Sequence, residues 1–155
     1  MAPIAPIPSA AISGCTCSKL RSLTRRVTAV YDRALAVVDM RVTQYSLLSH
    51  LRRLRGASMS ELADALDMDR TTLTRNLKPL IDAGWVEILA CEQDARRRTV
   101  HITPAGDAQF QAARSHWRRA QAEVNAVIGA GELTALHALI DRYLPLFRPA
   151  RGESE

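Results

Sequence analysis

The sequence predicts a mainly α-helical fold carrying a small β-hairpin, and three observations predict it. From Ser18 onward most of the chain repeats its apolar residues at gaps of three and four, the period of an α-helix. Residues 85–89 and 99–103 alternate instead and are rich in β-branched and aromatic side chains, as strands are. Between residues 58 and 84 the helical pattern is cut in two by Asp67-Met68-Asp69. Two short helices joined by about three residues and followed by a hairpin make a winged helix-turn-helix, here flanked by longer helices at both ends.

Residues 1–17 open with MAPIAPIPSAAISGC and are expected to be a flexible arm. Ile12-Ser13-Gly14-Cys15 faintly resembles a lipoprotein cleavage box, but no basic residue precedes it and Pro3, Pro6 and Pro8 interrupt any hydrophobic helix. No apolar run approaches the roughly 20 residues needed to span a bilayer. The chain is therefore expected in the cytoplasm, where its three cysteines would not form a disulfide framework.

The first helix, from Ser18, carries Leu20, Leu23, Val27, Val30, Tyr31, Ala34, Leu35 and Val38 as a one-sided stripe, with Arg21, Arg25, Arg26 and Arg33 on other faces. A second, from Thr43 to about Arg55, buries Leu47, Leu48, Leu51 and Leu54 and stops before Gly56. Ser58 and Glu61 have capping-box spacing, so a third begins at Met59 and buries Leu62, Ala63 and Leu66. Asp69 is a good N-cap for a fourth, with Leu73, Leu77, Leu80 and Ile81 inward and Gly84 at its end. Its outward face shows Arg70, Thr71, Arg75, Asn76 and Lys78, with Thr72 near its start.

The hairpin strands 85–89 and 99–103 are expected to be joined by the loop CEQDARRR, residues 91–98. Thr103 then caps a helix with Pro104 at its first position, where proline's missing N–H is no loss. Phe110, Ala113, Trp117, Ala120, Val124 and Val127 form the seam of a helix that packs lengthwise on another. A last helix, about Glu132 to Phe147, offers Leu133, Leu136, Ile140, Tyr143, Leu144 and Phe147. One domain, 18–148, thus contains a DNA-binding lobe at 42–103 and helical segments at 18–41 and 104–148, followed by a tail at 149–155. Terminal helices with broad apolar faces and no partner left in the chain predict a homodimer; the alternative is that they pack only on each other.

The net charge of +5 permits a polyanionic partner, and its distribution is uneven. Residues 19–55 carry nine Lys/Arg against Asp32 and Asp39, whereas 56–68 hold only acids, Glu61, Asp64 and Asp67. The Arg96-Arg97-Arg98 run is therefore a local, pointed charge rather than part of a basic region. A recognition helix fits the major groove of B-DNA, and a hairpin tip beside it reaches the next minor groove, whose negative potential attracts an inserted arginine. Asp94 is placed to hold the Arg96 guanidinium extended, and Arg97 and Arg98 to neutralise phosphates. An isolated arginine triplet is more often a solvated turn; here it follows a helix-turn-helix with a polar outer face. Lys78 and Arg70 suit phosphates, and Arg75 and Asn76 base edges.

SELADALDMDRTTLTRNLKPLIDAGWVE followed by DARRRTVHITPAG resembles the MarR-type winged-helix transcriptional regulators, and the resemblance extends over about residues 18–148. It implies a homodimer on a pseudo-palindromic operator in double-stranded DNA, usually a repressor. It assigns Thr71, Thr72, Arg75, Asn76 and Lys78 to the recognition helix and Arg96 to the minor groove, with Asp94 orienting it. It also implies release by a small aromatic or phenolic anion held between the dimer helices and the reading head. Tyr31, Tyr45, His50 and Trp117 are the candidate wall, although aromatic residues at helical spacing are more often core.

Cys15-Thr16-Cys17 is a second candidate sensor. Two thiols two residues apart, just before a helix and close to Lys19 and Arg21, offer the chemistry that oxidants and soft metal ions react with. Cys91 and His101 do not by themselves define a metal site, and no metal or cofactor is assigned. No HExxH, phosphate-binding glycine loop, Gly-x-Ser-x-Gly or cleft-facing carboxylate pair occurs, so an enzyme is not expected. From another class, a winged helix can serve as a protein-interaction module; the polar recognition face and the arginine wing argue against it.

Overall fold

A computed structural model describes residues 14–91 and 94–147, the side chains of 91–97 excepted. Most of the expected arm and tail, residues 1–13 and 148–155, lie outside the described residues. The chain runs α1 (Thr16–Leu35), a 3₁₀ turn (Ala36–Val38), α2 (Val42–Leu54), β1 (Ala57–Ser58), α3 (Met59–Leu66), α4 (Arg70–Asp82), β2 (Val86–Cys91), β3 (Asp94–Ile102), α5 (Pro104–Ile128), α6 (Ala130–Tyr143) and a 3₁₀ turn (Leu144–Phe147). This is the mainly helical, winged architecture that the periodicity predicts.

Local chemistry sets the helix starts. Ser58 and Glu61 form the expected capping box: Ser58 Oγ accepts from Glu61 N, and Glu61 Oε2 from Ser58 N. Asp69 Oδ1 accepts from Thr72 N at 2.8 Å, and Thr103 Oγ1 from Gly106 N at 3.1 Å. The start of α2 is different. Its N-cap is Arg41, which has no side-chain acceptor to offer. Gln44 Oε1 accepts the Arg41 N–H instead, and Asp32 Oδ1, reaching across from α1, accepts the Val42 N–H at 2.8 Å. The junction of α1 and α2 is thereby fixed by a carboxylate ten residues upstream.

The sheet has the order β1-β3-β2, all antiparallel. β1 pairs Ala57 with Val100 and Ser58 with Thr99, a third strand that the sequence did not announce. β2 pairs with β3 from Val86↔Ile102 to Ala90↔Arg98, then Cys91 opposes Asp94 across an irregularity at Ala90/Cys91. The hairpin is therefore longer than expected: Asp94–Arg98 belong to β3 rather than to a loop.

Leu35, Leu47, Leu48, Leu51, Leu62, Leu73, Leu77, Leu80 and Val100 are fully buried and join α1–α4 to the central strand. Each such side chain contributes about 1.5–3 kcal/mol of burial. Ile81, expected inward, is 38% exposed. α5 lies along α1, held by Tyr31 Oη donating to Gln121 Oε1 (2.7 Å) and by Arg33–Glu123 (3.1 Å). Its tie to the reading lobe is close. Thr103 N donates to Trp85 O, Thr103 Oγ1 to Gly84 O, and a Cβ on Gly106 would stand 2.0 Å from Trp85 O. That explains Gly106 in the Thr-Pro-Ala-Gly end of the wing.

The terminal helices behave differently. α6 buries none of its residues, and Ile140, Tyr143 and Leu144 are exposed with Leu146 and Phe147, the last two at 72% and 80%. Leu20, Leu23 and Val127 are exposed as well, each on the apolar stripe of its helix.

Candidate nucleic-acid interface

The turn from α3 to α4 is made by Asp67 in the left-handed region (φ 51°), and Asp69 then launches α4. With Leu73, Leu77 and Leu80 inward, helical geometry turns Thr71, Thr74, Arg75 and Lys78 outward, and all four are exposed. Arg70 is exposed at the first turn. Thr72 is half-buried and spoken for locally, its hydroxyl donating to Asp69 Oδ2 at 2.7 Å. Those bonds from Thr72 hold the Asp69 carboxyl below the usual carboxylate range. Asn76 is half-buried with Nδ2 donating to Met68 Sδ at 3.6 Å, and Lys78 Nζ pairs with Asp82 at 2.9 Å one turn along. Thr74, which the sequence reading passed over, donates its hydroxyl to the Arg70 carbonyl. Pro79 stands inside α4 and has no N–H for the Arg75 carbonyl.

The base of the wing is the three-stranded sheet, and Arg98 stands exposed on β3 opposite Ala90. The expected pairing of Asp94 with Arg96, and the direction of Arg97, lie outside the described side chains; their backbone belongs to β3. The exposed stripe on α4 and the arginine-bearing strand thus project from one compact lobe. A helix with donors along one side is of a size to enter a groove about 12 Å wide.

Of the expected ligand wall, Tyr31, Tyr45 and Trp117 come together and His50 does not join them. Tyr45 is 7% exposed, stacked 4.8 Å from Phe110 and 5.3 Å from Trp117; Tyr31 lies 6.3 Å from Trp117. Burial pushes both phenols up in pKa. His50 Nδ1 contacts the Ser46 carbonyl of its own helix, 2.8 Å away. A recess of about 420 Å³ lies elsewhere, between the α1–α2 junction and the end of α4. Asp32, Arg41, Gln44, Pro79, Ala83 and Trp85 line it, and none of the four expected wall residues does. Arg41 Nη1 reaches Asp32 Oδ2 at 3.4 Å across it. A lone Arg41 at a helix start carries no signal in sequence; its meeting with Trp85 is purely tertiary.

Cys15 is the N-cap of α1 and Cys17 its second residue, both exposed beside a recess that Ser18, Arg21 and Arg25 also line. Cys91 falls among the undescribed side chains. Among the described residues no three His, Cys, Asp or Glu side chains are grouped to hold a metal. Nor, among the described residues, is any helix long and apolar enough to cross a membrane.

Residues 38–97, the helix-turn-helix and most of the wing, match the model of the MarR family. The multiple antibiotic resistance protein MarR of Salmonella typhimurium is 32% identical over 114 residues, which is 72% of this chain and 78% of that protein. The HTH-type transcriptional regulator PecS of Dickeya dadantii is 30% identical over 76% of this chain and 75% of its own length. Among solved structures, the M. tuberculosis transcriptional regulator MosR in complex with DNA superposes with a TM-score of 0.76 at 34% identity, covering 88% of this chain and all of that one. A mutant of E. coli MarR complexed with operator DNA gives a TM-score of 0.76 at 25% identity, over 83% and 93% of the two chains. On sequence and fold together, the chain belongs to the MarR family of transcriptional regulators, a non-enzymatic class.

Proposed function

We propose that the chain is a homodimeric repressor that reads a pseudo-palindromic operator in double-stranded DNA and is released by a small aromatic or phenolic anion. The observation that carries the reading is the exposed polar stripe of α4, which packs on the β2–β3 ribbon whose strand β3 carries the arginines. Arg75 and Asn76 are assigned to base edges, with Asn76 leaving Met68 to do so. Arg70, Thr71, Arg97 and Arg98 are assigned to phosphates. Lys78 joins them by exchanging Asp82 for a phosphate, an ion pair that its exposure makes easy to give up. Arg96 goes to the minor groove with Asp94 as its orienting partner. MosR and MarR, solved with DNA, support this assignment.

The exposed apolar residues of α1, α6 and the last 3₁₀ turn support the dimer, since large apolar side chains left uncovered on terminal helices suit an interface. Two-fold symmetry then sets the two recognition helices on half-sites about one DNA turn, 34–36 Å, apart. The recess supports the release step. It holds a guanidinium (Arg41) and an aromatic ring (Trp85) against the end of the recognition helix (Pro79, Ala83). A carboxylate or phenolate entering there competes with Asp32 for Arg41, and Asp32 is also what caps α2. Effector binding would thus be felt at both the α1–α2 junction and α4.

Fluorescence anisotropy on DNA from upstream of the chain's own gene, at several salt concentrations and with benzoate as a probe, tests the reading. The expected result is binding that falls steeply with salt, stays well above that to scrambled DNA and weakens with benzoate. Equal, weak binding to both DNAs would favour a protein partner for the winged helix.

A further inference from the structure

We propose that Thr74 is a base-reading residue, and that its γ-methyl recognises the C5-methyl group of a thymine in each half-site. The inference rests on the proposed function and adds to it a side chain and a base. Thr74 is exposed on α4, with Arg75 beside it and Thr71 and Lys78 about one turn away on the same side. Its hydroxyl is already committed. Oγ1 donates to the Arg70 carbonyl at 2.8 Å, the backward bond that a threonine inside a helix makes to the residue four before it.

That bond decides what the side chain can offer. A hydroxyl has one hydrogen, so Thr74 has no donor left for a phosphate oxygen or a purine N7. With the oxygen turned back along the helix, the γ-methyl is the group that Thr74 shows to a groove. A β-branched side chain is stiff at χ1, and the bond to Arg70 holds it further in one rotamer. The methyl is therefore presented at little cost in side-chain freedom.

The major groove of B-DNA holds one feature that suits such a group. Thymine alone among the four bases carries a methyl on its groove edge, and apolar contact with it is a mode of direct readout. The neighbours of Thr74 cannot make that contact in its place. Arg70, Arg75 and Lys78 end in donors and serve acceptors. Thr72 is half-buried and turns its hydroxyl to Asp69, and half-buried Asn76 ends in an amide. A methyl among these polar groups adds a kind of discrimination that hydrogen bonds do not supply.

The test begins by selecting sites for the full-length chain from a random double-stranded DNA library, with a two-fold repeated motif as the expected product. Each thymine of one half-site is then replaced in turn by deoxyuridine, which pairs as thymine does and lacks only the methyl. Affinity is read by fluorescence anisotropy. One position should lose about three- to fivefold, the worth of one buried methyl group. Thr74→Ser keeps the hydroxyl; it should bind the thymine site weaker by the same factor and be indifferent to deoxyuridine there. Thr74→Val keeps a methyl without the hydroxyl and should retain the native sensitivity. Both replace an exposed side chain, so both should fold, which circular dichroism checks. Sensitivity that persists in Thr74→Ser gives the methyl to another side chain and overturns the inference. Sensitivity lost in Thr74→Val makes the hydroxyl the reader and overturns it as well. A motif in which no thymine methyl matters overturns it and leaves the regulator standing. The absence of any selected motif overturns the regulator reading, and this inference with it.

Discussion

Replacing Gly106 by alanine inverts the usual effect of that substitution in a helix. Gly106 is the third residue of α5, where propensity alone would favour alanine by up to about 1 kcal/mol. The packing opposes it. The added Cβ meets Trp85 O at 2.0 Å, Trp85 C at 2.8 Å and Ile102 Cγ1 at 3.0 Å. The first two are backbone atoms and cannot swing aside, so the start of α5 must withdraw from β2 by more than an ångström. That withdrawal strains the Thr103 N–Trp85 O and Thr103 Oγ1–Gly84 O bonds, 3.0 and 2.7 Å, each contributing about 0.5–1.5 kcal/mol. With overpacking at about 1–3 kcal/mol, the net destabilisation is about 2 kcal/mol. At 2–4 °C per kcal/mol for a chain of this size, Tm falls by about 4–8 °C. The assay is thermal unfolding by circular dichroism at one fixed protomer concentration, because the Tm of the proposed dimer would depend on it. Gly131→Ala is the control: it lies in α6 with nothing within 4 Å of its Cβ position, and should leave Tm level or slightly raised. A Gly106→Ala protein melting at or above the native one would refute the close approach of α5 to Trp85.

Asp32→Ala removes the acceptor that caps α2 from α1 and should destabilise by about 0.5–2 kcal/mol in urea unfolding; Asp32→Asn, which keeps an acceptor oxygen, should recover most of it. The Asp69 carboxyl is held low by its bonds from Thr72, so its contribution is present above about pH 4, its unfolded value, and is lost as pH falls through the folded one. The gap between the urea midpoints of native and Asp69→Ala protein should therefore narrow as the pH falls; a gap that stays constant on acidification would contradict it. Arg96→Ala should weaken operator binding by about 1–3 kcal/mol in anisotropy, and an unchanged affinity would remove Arg96 from the minor groove. Leu146→Glu with Phe147→Glu should yield monomers in sedimentation, and a persisting dimer would place the interface elsewhere.

Features governed by neighbouring residues were legible in the sequence. The Ser58–Glu61 box, the Asp69 and Thr103 caps and the leucine stripe of α4 depend on spacings of three or four residues, and each stands where its spacing put it. Features closed by distant contacts were not. β1 is two residues long and too short to alternate; it is a strand only because β3 runs beside it. Asp94–Arg98 lack any apolar alternation, so their pairing with β2 is imposed by the hairpin. Arg41 gave no sign of an N-cap because the capping oxygens belong to Gln44 and Asp32. Leu20, Leu23 and Val127 carry helical periodicity yet are exposed, since periodicity reports an apolar face without reporting what covers it.

The two-residue strand β1 has a consequence for how this reading head can change over time. A ribbon of two strands can slip by one residue, and a slip would turn every side chain to the other face. Clamping Val100 against Ala57 pins the register at the root of the ribbon, where the strand also feeds α5. The register of the ribbon is thereby set at its root rather than at its tip. On the proposed function, the arginine-bearing end of the ribbon can then be rewritten for a different DNA site while the register at its root stays fixed.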